Sequence, residues 1–138
     1  MKNYDKIFKP DRGNESNEEL ITGAIKCLDG FGEQFNAENL DGMDDFLHFP
    51  HYILSGNEIM EWKTRGQLPE TFFDDLKEVG WCKTVTQKRE VILVSENKVH
   101  FKVRYTREME DGTVISDNEN VWIVIFKDDR WGIFLRSY

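Results

Sequence analysis

Cysteine, net positive charge and long apolar runs are scarce or absent in this chain, and each lack removes a class of protein. The two cysteines, Cys27 and Cys82, form no closely spaced ligand motif. They are expected to be free thiols buried in apolar surroundings, in a reducing compartment. No stretch approaches the roughly 18 apolar residues of a membrane span. Residues 1–10 lack the roughly 7–15-residue apolar core of a secretory signal, so the expected location is cytoplasmic. Acidic residues outnumber basic ones, 26 to 18, for a net charge of −8. Phosphate backbones and anionic lipid surfaces both bind through Lys and Arg, so neither nucleic acid nor membrane is an expected partner. No catalytic triad, phosphate loop or dinucleotide fingerprint occurs, and Gly30-Phe31-Gly32 falls inside a helical pattern.

What remains is one domain's worth of chain. A globular domain of 138 residues buries roughly 68% of the surface its unfolded chain exposes. Ten Phe, four Trp and four Tyr are ample to fill its core. Residues 1–15 are polar and aperiodic, and are expected to be a loose leader. Residues 16–138 are expected to form a single domain.

Ser16 and Glu19 make a capping box. Leu20, Ile21, Ala24, Ile25, Leu28, Phe31 and Phe35 follow at helical spacing, which predicts a helix to about Asn36. Leu40, Met43, Phe46 and Leu47 predict a shorter second helix, capped by Asn39 and ended by Pro50. Two short strands are predicted at His51–Ser55 and Glu58–Trp62, turning at Gly56–Asn57. Pro69 opens a third helix with Phe72, Phe73, Leu76 and Val79 on its buried stripe and Gly80 at its C-terminal cap. Residues 82–94, 98–108, 113–126 and 130–138 read as strands joined by turns at Glu96–Asn97, Asp111–Gly112 and Asp128–Asp129. The fold class is therefore α+β, with three helices packed on an antiparallel meander.

Strand parity adds an inference about assembly. Residues 99–106 alternate between an apolar and a polar face. Val121-Trp122-Ile123-Val124-Ile125-Phe126 is apolar on both faces and needs cover on both. Helices cover one face, and a second copy of the chain, in a homodimer through the outer sheet face, is the expected cover for the other. Parity alone leaves open whether Trp122 or Ile123 faces that partner.

Phe35-Asn36-Ala37-Glu38-Asn39-Leu40-Asp41-Gly42-Met43 followed by Leu47-His48-Phe49-Pro50-His51 resembles the helix-to-first-strand segment of SnoaL-like proteins. These belong to the nuclear transport factor 2-like, or cystatin-like, superfamily. Lys98-Val99-His100-Phe101, the Asp111-Gly112 hairpin, Val121-Trp122-Ile123-Val124, Arg130-Trp131-Gly132-Ile133 and Arg136-Ser137 resemble the closing strands of the same group, so the likeness spans about residues 16–138. It implies a cone of helices over a strongly curved sheet, with an internal pocket for a small apolar molecule and dimerisation through the outer face. It also implies a choice between a binding module and an enzyme of the isomerase, cyclase or dehydratase type working with pocket acid–base residues. Fold does not decide between them.

His48 and His51 would stand at the pocket mouth and are the candidate catalytic residues, as imidazoles are suited to acid–base work near neutral pH. His51 is expected to border the cavity and titrate near neutrality. The alternative is a hydrogen-bonded structural pair. Their spacing could also hold a metal with Asp44 or Asp45, but no third ligand is specified, and no metal or other cofactor is expected. Asp44 and Asp45 as paired acids read first as solvated. Trp62, Trp81 and Tyr105 are candidate pocket walls, with ordinary core as the alternative. Arg89 and Arg136 interrupt apolar strand patterns and are candidate ligand-binding residues for a carboxylate. Pairing with Glu90, Glu119 or another acid is the default for either.

Overall fold

The computed structural model describes residues 16–138. The expected leader, residues 1–15, lies outside the described residues. Helix α1 spans Asn17–Asn36, with Ser16 Oγ accepting from the Glu19 amide at 3.2 Å. Leu20, Ala24, Cys27, Leu28 and Phe31 form its buried stripe. Helix α2 covers only Leu40–Asp44, capped by Asn39, whose Oδ1 accepts from the Gly42 amide at 2.9 Å. The chain is already extended at Leu47, so Pro50 lies within strand β1, Leu47–Ser55, instead of ending the helix. Proline cannot donate to a ladder, and the register between β1 and its neighbour shifts between Leu47 and Tyr52, around it.

Strand β2 is Glu58–Trp62 and helix α3 is Phe72–Glu78. This helix starts three residues later than Pro69 predicts. Gly80 follows it with φ +94°, the left-handed conformation its C-terminal cap requires. Strands β3 (Lys83–Ser95), β4 (Lys98–Glu108), β5 (Val114–Lys127) and β6 (Arg130–Ser137) complete the chain. The sheet order is β2-β1-β6-β5-β4-β3. All pairings are antiparallel except β1 with β6, which is parallel. The α+β class and the curved sheet under N-terminal helices stand as expected. The parallel closing pair is long-range and invisible to a reading of successive hairpins.

Helix α1 crosses the inner face of β3 to β6. Phe101, Val99, Val124 and Ile133 are completely buried beneath it. Gly30 lets Phe46, between α2 and β1, pack directly on α1, for a Cβ at that position would overlap the Phe46 ring. The hairpin registers put Phe101 opposite Trp122 and Trp122 opposite Arg136. These side chains therefore share the inner face, whereas Ile123 and Leu135 point outward.

Candidate functional site

The curved sheet and α1 do not close completely on each other. Between them lies a cavity of about 620 Å³, lined on the helix side by Leu28, Phe31 and Phe35 and on the sheet side by Val103, Tyr105 and Trp122. Ile53 and Trp62 close one end from β1 and β2, and Thr84, Thr86 and Arg89 border it from β3. Aromatic rings dominate the wall because α1 presents Phe31 and Phe35 one turn apart on the stripe that faces Trp122. Phe31 meets that indole edge-on at 5.7 Å.

Arg136 defines the deep end. Its guanidinium is set among three rings, with its central carbon 5.6 Å from the centroid of Phe31, 5.4 Å from Trp62 and 5.7 Å from Trp122. Its residue exposure is 9%. Nε–H donates to His51 Nε2 at 3.1 Å, and Nη1 donates to the Tyr138 hydroxyl at 3.3 Å. Among the described residues no carboxylate lies within ion-pair distance of it. His51 backs this arginine and is fully buried, with Nδ1 2.9 Å from the Ile133 carbonyl. A carbonyl only accepts and a guanidinium only donates, so the tautomer is fixed as Nδ1–H with a bare Nε2. Burial, and then the neighbouring Arg136 charge, push the imidazole down to about 3. Tyr105 also lines the cavity, and burial raises its phenol to about 12.

The mouth is built differently. Arg89 is ion-paired with Asp29 of α1. Asn36, at the helix C-terminus, exchanges two 2.9 Å hydrogen bonds with the backbone of Thr84 and so ties α1 to β3. Lys83 and Arg107 also border the opening, and Arg107 Nε is buried without a partner among the described residues.

The structure therefore brings Trp62, Tyr105, Arg89 and Arg136 to the cavity. It does not bring the two histidines there. His51 stays behind Arg136 and Trp62, on the inner face with Ile53 as strand alternation requires, and both its nitrogens are used. It does not titrate near neutrality. His48 is buried, with Nε2 3.1 Å from the Arg130 carbonyl and its ring against Gly132. Burial holds its pKa below the usual value. Both are structural histidines, and neither offers a nitrogen to the cavity. Trp81 also departs from the expectation. It is buried between Phe35 and Phe73, with its indole N–H donating to Thr84 Oγ1 at 3.0 Å, and serves as core.

Asp44, expected to be solvated, is buried and accepts from the Gly66 amide at 2.9 Å, which holds the loop after β2. Asp45 is exposed and ion-paired with Arg65 at 2.8 Å. Among the described residues no group of three or more His, Cys, Asp or Glu is arranged to hold a metal. Cys27 is buried and its thiol is pushed up to about 12 by burial, whereas Cys82 is exposed, against expectation. Sequence reasoning missed Phe31 and Trp122 as cavity walls. The signal was available: reflecting β5 onto β4 about Asp111–Gly112 brings Trp122 opposite Phe101, whose inward face the alternation of β4 already declares.

Comparison with solved structures agrees on the fold. A protein of unknown function with a cystatin-like fold from Nostoc punctiforme superposes with a TM-score of 0.66 at 12% identity, covering 85% of this chain and 87% of that one. An NTF2-like protein with a cystatin-like fold from Novosphingobium aromaticivorans gives 0.63 at 12% identity, with 86% and 80% covered. An NTF-2-like protein of unknown function from Shewanella oneidensis gives 0.57 at 16% identity, with 88% and 98% covered. No curated protein matches the chain in sequence. Residues 18–136 match the family described as NTF2-like protein (DUF6841), and the chain belongs to that family.

Proposed function

We propose that this chain binds a small, largely apolar molecule in the cone cavity. The observation that carries the reading is the cavity itself. Its volume of about 620 Å³ falls inside the roughly 300–1,000 Å³ of small-molecule sites, and a few polar groups converge on an otherwise aromatic wall. The resemblance of the segment around His48 to SnoaL-like proteins supports the same reading. The alternative is an isomerase, cyclase or dehydratase. Its best support is Tyr105 with Arg136, two donors able to face a developing oxyanion. Binding is preferred because neither His51, whose two nitrogens are both hydrogen-bonded within the protein, nor His48 lines the cavity to serve as a base beside that pair.

The test is titration of the full chain with the neutral apolar dye Nile red, followed by nuclear magnetic resonance of the indole N–H groups. Saturable dye fluorescence with shifts at Trp62 and Trp122 is the expected result. A dye that neither binds nor moves those two signals overturns the reading.

A second copy of the chain on the outer sheet face remains our proposal for assembly. Tyr52, Leu54, Ile123, Phe134 and Leu135 make a half-buried apolar band there. Beside it run ion pairs of both signs, Lys102–Glu119 and Arg104–Asp117, so the same patch can face itself about a twofold axis. Trp122 belongs to the inner face, so Ile123 is the residue a partner would cover. Sedimentation at micromolar concentration should give a dimer, with Ile123→Glu giving a monomer. A wild-type monomer removes the proposal.

A further inference from the structure

We infer that the cavity takes apolar carboxylic acids, with the carboxylate seated on Arg136. This rests on the reading of the cavity as a ligand site and specifies its ligand class.

The charge balance of the wall is the first observation. The chain as a whole carries −8, yet four basic residues line the cavity, Lys83, Arg89, Arg107 and Arg136, against two acids, Asp29 and Glu33. One pair cancels directly, since Asp29 holds Arg89. The second observation is the state of Arg136. It is buried in an aromatic cage, where charge is costly unless paired, and its two hydrogen-bond partners are a neutral imidazole and a phenol. Among the described residues nothing hydrogen-bonds to Nη2. His51 and Tyr138 hold the guanidinium through Nε and Nη1, which fixes its plane and leaves Nη2 as an unused donor on a residue that lines the cavity. That is how a preorganised anion site is built.

Chemistry selects the class of anion. A guanidinium edge matches one planar carboxylate, and the Tyr105 and Tyr138 hydroxyls are further donors among the lining residues. A phosphate dianion would need more donors than this deep end supplies. Phe31, Phe35, Trp62 and Trp122 then require that the rest of the ligand be hydrocarbon or aromatic. Lys83 and Arg107 at the mouth attract an acid as it enters.

Matched pairs test this on the full chain. The probes are 2-naphthoate and the straight-chain alkanoates from hexanoate to dodecanoate, each beside its own primary amide. Binding is read by calorimetry and by the fluorescence of Trp62 and Trp122. At least one acid is expected to bind about tenfold or more tighter than its amide, the scale of one charge-assisted hydrogen bond. In Arg136→Met that ratio should fall to about one while the amide still binds. Arg136→Lys keeps the charge without the fork and should fall between them, and it serves if the Met variant does not fold. Equal binding of every acid and its amide to the wild type overturns the carboxylate inference and leaves the cavity reading standing. Failure of all probes and of Nile red overturns both. A wild-type preference that survives unchanged in the folded Arg136 variants removes Arg136 from the role.

Discussion

Arg89 and Arg136 stand on the same inner face of the sheet and border the same cavity, yet their surroundings are opposite. Arg89 is at the mouth, on β3, where α1 crosses it and supplies Asp29 as counter-ion. Arg136 is at the deep end, on central β6, among rings and a neutral histidine. The difference separates a charge the fold has neutralised from one it has left open. Charge at a rim is cheap and its pairing contributes little. Charge in an aromatic cage is costly to desolvate unless it is paired.

That contrast can be broken or sharpened by measurement. The largest expected effect is at the cage itself. Phe31→Ala should lower stability by about 3–5 kcal/mol in urea unfolding, because the ring is buried against Trp122 and Phe35 and its removal leaves a void. A loss below about 1 kcal/mol would mean that the deep end is loosely packed.

Acid is the next lever. The folded pKa of His51 is depressed to about 3 from 6.5, so the unfolded chain takes up a proton that the folded one refuses. Its contribution is fully present above pH 6.5 and is lost as pH falls toward 3. Between pH 6.5 and 5 this group alone should remove about 2 kcal/mol, and His48, also depressed, acts in the same direction. His51→Gln should flatten the slope in that window. An unchanged slope would show that the histidine is not held neutral by Arg136 and burial.

Smaller effects separate the two arginines. Arg136→Met should unfold within about 1 kcal/mol of the wild type, since a desolvated charge is removed along with its hydrogen bonds. A loss of several kcal/mol would make it a structural keystone and weaken its assignment to a ligand. Arg89→Met should cost less than about 1 kcal/mol, because Asp29 is half exposed and water screens the pair.

Much of this is legible in the sequence. The Ser16 capping box, the stripe from Leu20 to Phe35 and the four tight turns fix the elements, because each depends on neighbours in the chain. The two arginines were visible as breaks in apolar strands. Which of them would find an acid was not, since Asp29 lies sixty residues from Arg89 and only the crossing of α1 over β3 brings them together. The histidines failed for a related reason. Their position after α2 was legible, but His51 is hidden by Arg136, eighty-five residues away, through a parallel pairing that no local pattern announces. Trp81 has the same composition cue as Trp62, yet Trp81 packs on Phe35 and Phe73 whereas Trp62 packs on His51 and Arg136.

The central place of β6 has a consequence for how the chain acquires its site. This strand is the last of the six to be synthesised, yet it lies between β1 and β5. It carries Arg136 and the carbonyl of Ile133 that fixes the His51 tautomer. Until it emerges from the ribosome, β1 and β2 can form only a hairpin and β3 to β5 only a separate meander, each with an unpaired edge. Joining them closes a loop of about eighty residues, the kind of non-local contact that slows folding. The cavity and the continuous sheet are thus completed in one late step, and a nascent chain stalled before β6 would expose both apolar faces at once.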